Sequence, residues 1–418
     1  MSRLDSPWGV FLLLLSAGAF AQGPALPESL TLSRALELLE QTSPRTAADK
    51  AQIDVVAADR AAADVHPNPS VSYSGQRLVS GANTGAVTQH QVVLEQPLLI
   101  FNQRGVRRDA AELNVSAAKA RVAADLADRR RQVREAFVEL LSKQEQARVL
   151  DESAADLERV EKVVAGRASA GDRSRYDVAR IEIESRTLRV EAMNAKADVE
   201  EASRKLAAQL GLPNWAPHAE GDLSPAQIET DFTRLWETAL QQRPGLRAMR
   251  ERQAAARGAL SVAQRDRWPV PSISAGVAFT QSDDGVSAYF GLSLPLPLFD
   301  RNQGAVARAT ADIEAQRLGE EAELAETRAE IERAGGVLVK QREALSTLER
   351  DVVGRLPALR KMAEDAYREG QSGILELLDA FRSLKELRVQ YSRQQESVKL
   401  AEVAVIAAAG LDATSQGR

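Results

Sequence analysis

Apolar positions along this chain repeat with two different periods, and the points where one period replaces the other divide it into elements. Over 287–296 they fall at every second residue, Ala288, Phe290, Leu292, Leu294 and Leu296, which predicts a strand with two unlike faces. Pro295 and Pro297 rule out a smooth run into helix, and the polar turn DRNQG follows Phe299. An earlier stretch, LEQPLLIFNQRGV over 94–106, makes the same statement: apolar residues, a proline, a phenylalanine, then Asn and Gln before a glycine. Each predicts a strand, a rigid hinge and the start of a helix.

Taken in order, helix is expected over 31–65 with an interruption near Pro44, and strands at about 70–78 and 87–98 around a turn at Gly81, Asn83 and Gly85. The stretch 102–165 holds no proline and one glycine; its 64 residues would make a helix about 96 Å long. A break at 166–172 leads to a helix over 172–210, stopped by Gly211 and Pro213. The pattern then restarts: helix over 235–267, strands at about 272–281 and 287–296 around a turn at 283–285, and a second very long helix over 301–368. Gly335, Gly336, Gly354 and Pro357 are its weak points, and after a break at 370–373 a last helix covers 374–411.

Pro69 aligns with Pro271, Phe101 with Phe299 and Gly171 with Gly370, at offsets of 202, 198 and 199 residues. A unit of about 200 residues is therefore expected twice, as repeats 22–220 and 221–418. Val178, Ile181, Ser185, Leu188, Ala192, Ala195, Val199, Ala202 and Leu206 form a heptad stripe. Adding 199 gives Leu377, Ala380, Leu384, Leu387, Tyr391, Gln394, Val398, Ala401 and Val405, the same stripe with Gln394 as its polar exception. So narrow a stripe leaves most of each helix wet and calls for helical neighbours.

Composition agrees with long helices: 27% of the 418 residues are charged and 4% aromatic. A net charge of −5 spread along the chain gives no reason to expect nucleic acid. Arg3, the apolar run at 10–20 and Ala19-Phe20-Ala21 fit a secretory signal over 1–21, too short for the ~20 residues a membrane-spanning helix needs. The chain has no cysteine, so neither a disulfide nor an N-terminal lipid-bearing cysteine is expected. His66, His90 and His218 are scattered, as are Met193, Met249 and Met362. With no HExxH, P-loop or G-x-S-x-G, no cofactor, resident metal or enzymatic activity is expected.

The strands mix polar residues (Gln89, Gln91, Ser274, Ser293) with apolar ones (Val71, Val93, Val277, Phe279, Leu292). Exported strands of this kind suit an outer-membrane barrel, but four cannot close when small barrels need about eight. Closure must then be shared between chains. The competing reading is two surface hairpins on a soluble helical protein.

Export signal, duplicated halves and the motif PLPLFDRNQG at 295–304, with its counterpart QPLLIFNQRG at 96–105, resemble the TolC-type outer-membrane efflux proteins across nearly the whole mature chain. The second-half motif and the VPSISAGVAF strand most resemble the cobalt-zinc-cadmium, CzcC-like branch, which serves heavy-metal efflux. The resemblance implies a mainly α fold with a β-barrel portion: a homotrimer forming a twelve-stranded barrel in outer-membrane lipid, continued by a periplasmic α-helical barrel. It implies docking to a periplasmic adaptor (membrane fusion) protein and an inner-membrane pump of the resistance-nodulation-division (RND) type. Pro67, Pro69, Pro97, Pro269, Pro271, Pro295 and Pro297 would mark the junction of the two barrels. Family members narrow at the far end to an acidic aperture, where Glu376 and Asp379 match the acidic positions, Asp177 lies at the corresponding first-half turn and Tyr367 matches a tyrosine that holds the entrance shut. A Tyr367 to Asp177 hydrogen bond is expected, and Ser372 stands where relatives carry a basic residue. The alternative for the carboxylates is plain capping of helix N-termini. For the whole chain, the alternatives are a TolC-type channel for drugs or secreted proteins and a periplasmic scaffold or adaptor without a pore.

Overall fold

The structure, a computed structural model, describes residues 28–81, 88–169, 174–280 and 285–411. The expected signal over 1–21 and the turn residues Asn83, Gly85, Gly171, Asp172, Asp283 and Asp284 lie outside them. In chain order the elements are β1 (Ser29–Leu30), α1 (Leu32–Thr42), α2 (Pro44–Ala63), β2 (Ser70–Arg77), β3 (Thr88–Pro97), α3 (Gln103–Ser169), α4 (Arg175–Gln209) and β4 (His218–Ala219). Then follow α5 (Phe232–Gln242), α6 (Pro244–Arg265), β5 (Ser272–Thr280), β6 (Gly285–Ser293), α7 (Gln303–Asp351), α8 (Leu356–Arg368) and α9 (Ile374–Ala409).

Local chemistry accounts for most of the boundaries. Thr31 caps α1 by accepting from the Arg34 N–H, and Ser43 turns extended so that Pro44 opens α2. Asp231 caps α5 at 3.0 Å from the Arg234 nitrogen, and Pro244 opens α6 after an extended Arg243. The helix expected without interruption over 235–267 is therefore two. The helix expected over 301–368 is also two: Val352 leaves helical geometry (φ −120°), a 3-10 turn covers Val353–Arg355, and Pro357 sits in the first turn of α8. Gly335 and Gly336 do not interrupt α7, and Gly166 lies inside α3, whose 67 residues span about 100 Å.

Both heptad stripes are buried or half-buried along their full length. The α4 stripe faces α3, which also lies along α6 and α9, while α9 packs on α7. Gln394, the polar member, donates to the Gln341 carbonyl at 3.1 Å and side-chain oxygen at 2.7 Å, so its amide is not stranded. Outside the stripe, α3 and α4 are laced by Glu139–Lys205, Lys143–Asp198 and Asp151–Lys196. One apolar cluster joins Leu38, Phe137, Leu140, Leu206 and Leu210; another joins Leu235, Ile331, Leu338, Val398 and Val405. The same kind of core is thus built once from α1, α3 and α4 and once from α5, α7 and α9.

The turn into each longest helix explains the FNQRG and DRNQG motifs. Asn102 and Asn302 have φ of 60° and 56°, the left-handed region that asparagine tolerates better than most residues. Two positions on from Phe101 and from Arg301, Gln103 and Gln303 accept the Phe101 and Arg301 N–H at 3.1 and 2.8 Å. The geometry therefore matches Asn102 to Asn302, an offset of 200, in place of the Phe101 to Phe299 alignment.

The four long strands form one antiparallel sheet in the order β2-β3-β5-β6, and β1 pairs β4 in a small parallel ribbon. β6 ends at Ser293, short of the expected 296, because Pro295 has no N–H to continue a ladder. β3 ends at Pro97, and the Leu98 N–H bonds the Pro271 carbonyl at 2.8 Å. The β2 and β6 outer edges carry no strand among the described residues.

The glycines of the two turns separate in a test. A Cβ on Gly105 would lie 2.2 Å from Asn102 Oδ1, whereas one on Gly304 meets nothing within 4 Å. Gly105→Ala is expected to lower the thermal midpoint, and Gly304→Ala to leave it unchanged or raise stability by up to about 1 kcal/mol through helix propensity; parallel melts of both variants check this.

Candidate functional site

Strand register sorts the sheet's side chains onto two faces. Ser70, Ser72, Ser74 and Gln76 of β2 share a face with Gln89, Gln91, Val93 and Glu95 of β3, with Ser272, Ser274, Gly276, Ala278 and Thr280 of β5, and with Ser287, Tyr289, Gly291 and Ser293 of β6. The other face carries Val71, Tyr73, Val92, Leu94, Ile273, Val277, Phe279, Val286, Phe290 and Leu292. Val93, counted with the apolar set from sequence, stands on the polar face. The apolar face is uncovered: Val71 is 71% exposed, Phe290 82% and Leu292 74%. A sheet bare on its apolar side suits hydrocarbon there and water on the other. Within the apolar face, Tyr73 Oη and His90 Nδ1 pair at 2.7 Å.

At the sheet's base the prolines shape the hinge. Gln96 donates to the Pro67 carbonyl at 3.0 Å, pinning the 66–70 segment to the end of β3, while Pro271 accepts from Leu98. Pro69 precedes β2, Pro269 follows α6, and Pro295 and Pro297 hold the extended link between β6 and α7. Arg104 bonds His66 and bridges Asp64 at 3.2 Å. Phe101 stacks on Trp268 at 5.0 Å, and Phe299 is 92% exposed.

At the opposite end of the helices, both halves meet in one cluster: Leu157 and Val164 from α3, Ile181 and Leu188 from α4, Tyr367 from α8, and Ile374, Leu377 and Leu378 from α9. Tyr367 is buried there, and Val178, next to the half-buried Asp177, packs against the same cluster. Gly370, at φ 78°, ends α8 with its N–H on the Tyr367 carbonyl, and Arg167 of α3 donates to the Arg368 carbonyl at 2.9 Å. Glu376 is exposed, and its Oε2 accepts the Gly373 N–H at 3.0 Å, a capping bond at the start of α9. Asp379 is exposed one turn further on and lies close enough to Arg382 to raise that guanidinium's pKa further, after the larger effect of its bond to Glu184.

Sequence reasoning passed over the charges just above this tip. Arg382 forks onto Glu184 of α4, with Nε 2.6 Å from Oε1 and a second bond from Nη2; Lys385 reaches Glu191 at 2.8 Å; Arg388 reaches Glu152 of α3 at 2.6 Å. Arg360 of α8 pairs with the buried Asp156 of α3. These ion pairs cross between the halves and line a cleft of about 400 Å³ floored by Leu157, Leu188, Leu378 and Phe381. The bond from Arg382 holds the Glu184 carboxyl below its ordinary range, and that from Arg388 does the same for Glu152, burial opposing both. The available signal was the three-residue spacing of Arg382, Lys385 and Arg388 beside the apolar stripe, where flanking charges meet a neighbouring helix. Among the described residues, no group of three His, Asp or Glu side chains could hold a metal ion, and His66 in the loop before β2, His90 on β3 and His218 on β4 stand apart.

Residues 235–411 match the family model for outer membrane efflux proteins. The cobalt-zinc-cadmium resistance protein CzcC of Cupriavidus metallidurans is 26% identical over 405 residues, 94% of this chain and 95% of that protein. The nickel-cobalt-cadmium resistance protein NccC of Alcaligenes xylosoxydans xylosoxydans is 24% identical over 323 residues, 73% of this chain and 69% of that protein. Among solved structures, CusC, described in terms of folding and transmembrane channel formation, superposes with a TM-score of 0.75 over 91% of this chain and 92% of its own at 16% identity. The fold is that of these channels.

The cross-half pairs give a pH expectation. Carboxyls with depressed pKa in the folded state contribute fully above the ordinary value of about 4.3 and lose that contribution as pH falls through the lower folded value. Hydrogen exchange of α9's first turns, corrected for intrinsic rate, should therefore be level from about pH 7 to 5 and rise only below about pH 4. Arg382→Ala should raise it at neutral pH, with a local loss of about 0.5–1 kcal/mol.

Proposed function

We propose, from this chain's match to the outer membrane efflux protein family model over 235–411 and its likeness to CzcC, that it is the outer-membrane channel of a tripartite RND-type efflux system that passes heavy-metal cations such as cobalt, zinc or cadmium out of the periplasm. The support for the pore is the two-faced sheet. Among its described residues each chain offers a four-stranded sheet with an uncovered apolar side and two open edges, and in lipid every backbone N–H and C=O needs a partner. Three chains joined β6 to β2 give twelve strands, no edge and a polar lumen. The support for the cargo is the likeness to CzcC and NccC, both named for resistance to divalent metals. No helix among the described residues is long and apolar enough to cross a membrane; contact of the sheet with lipid is supported by its exposed apolar face.

In this reading 1–21 directs export, and repeats 22–220 and 221–418 each supply one hairpin and a set of helices to a homotrimer. The prolines at 67, 69, 97, 269, 271, 295 and 297 form the joint where tilted strands become helices. The long helices make the periplasmic tube, which docks to a membrane fusion adaptor and, through it, to the pump; pumping energy comes from that partner. Glu376, Asp379 and Asp177 of three chains surround the periplasmic mouth and raise the local cation concentration, with Tyr367 bonding Asp177 in the shut state. Glu376 can cap α9 through one oxygen and still present its charge.

Two experiments test this. Outer-membrane fractions are expected to hold the protein as a heat-resistant trimer, and loss of the gene to sensitise cells to zinc, cobalt or cadmium without changing survival in organic toxicants; soluble periplasmic monomers would remove the pore. In planar bilayers, Glu376→Ala with Asp379→Ala is expected to reduce cation preference, and unchanged traces would return those carboxylates to capping alone.

A further inference from the structure

Among the described strand residues the polar face of the sheet is nearly without charge. Its hydroxyls, amides and glycines include one carboxylate, Glu95, and no lysine or arginine, since Arg77 falls on the apolar face. Register places Glu95 opposite Ser70 on one side and Ser274 on the other, with Gly291 beyond Ser274. The two serines are too small to cover it, and over Gly291 lies the Tyr289 hydroxyl, a neutral group. Glu95 is half-buried and takes no hydrogen bond or ion pair, whereas carboxylates elsewhere on the helices are widely matched with arginine or lysine. This is an unmatched carboxylate on a neutral hydroxyl-lined face, two residues from Pro97 at the end of β3, with no bond that ties it to its neighbours.

We propose that Glu95 is a second selectivity determinant, remote from the helical tip: three copies make a carboxylate ring at the base of the barrel that favours cations over anions on their way to the exit. The inference rests on the channel reading. Because the ring lies in a wide, water-filled lumen, it acts through its field and not through coordination, so its reach is set by the screening length, about 30 Å at 0.01 M salt and about 3 Å at 1 M.

The test is the reversal potential of purified trimers in planar bilayers under a potassium chloride gradient, in the parent and in a channel already carrying E376A and D379A. In dilute salt Glu95→Gln is expected to lower the cation-to-anion permeability ratio about two-fold in both backgrounds. Glu95→Lys should lower it further, Glu95→Asp should retain the parent ratio, and all differences should vanish near 1 M salt. A heat-resistant trimer band controls for assembly of each variant. Channels that conduct but show the same ratio for Glu95→Gln and Glu95→Lys as for the parent would overturn the ring alone. A parent protein that forms no channel would overturn the pore reading and the ring with it.

Discussion

Two edges without a partner and an apolar face without a cover, among the described residues of the sheet, set the terms for the rest of this molecule. In water the β2 and β6 edges could be solvated and the cost would be the bare Phe290, Leu292 and Val71; in lipid those side chains are at home and the edges become the cost, because each unpaired N–H or C=O in hydrocarbon costs several kcal/mol. A single chain cannot remove both penalties. In the proposed trimer, symmetric association does, with β6 of one copy joined to β2 of the next in a rotation that closes on itself.

The helices answer to a related shortage. A stripe of one or two apolar residues per turn, many of them small, buries too little for a globular core, so α3 and α4 gain by length: the seam runs along α4 from Val178 to Leu206 and is flanked by matched charges. Among the described residues, larger cores occur where shorter helices thicken the bundle, α1 against α3 and α4, α5 against α7 and α9, and α8 against α3, α4 and α9 at the tip. The hinge between sheet and helices is rigid for local reasons, an asparagine in the left-handed region, a glutamine folded back onto the preceding backbone and prolines that cannot extend a ladder.

The two halves are alike in the order of their elements and unlike where they meet at the tip. α3 is continuous, but its counterpart is broken between α7 and α8, and that break opens the cleft beside the Arg382–Glu184 and Arg388–Glu152 pairs. Ser372 stands where the TolC-type resemblance implies a basic residue, and the cations that tie the halves together stand further along α9. Opening the tip by parting α9 from α3 and α4 would have to separate these pairs.

Periodicity and turn residues marked the strands and both heptad stripes, and freedom from proline marked the long helices, because these are properties of a local stretch of chain and need no partner. The Asn-Gln motifs were visible for the same reason, as local turn chemistry. Boundaries shifted wherever one proline or one extended residue outweighed a favourable composition, as at Pro244 and at Val352 to Pro357. Only the tertiary structure decided which charges are paired. Arg382 and Glu184 lie 198 residues apart, and no spacing within either helix announces that the two faces meet. The face of each strand residue was likewise settled by cross-strand register, which moved Val93 to the polar side and set Glu95 between two serines. Contacts between distant segments depend on how elements dock, and docking is not encoded at any one position.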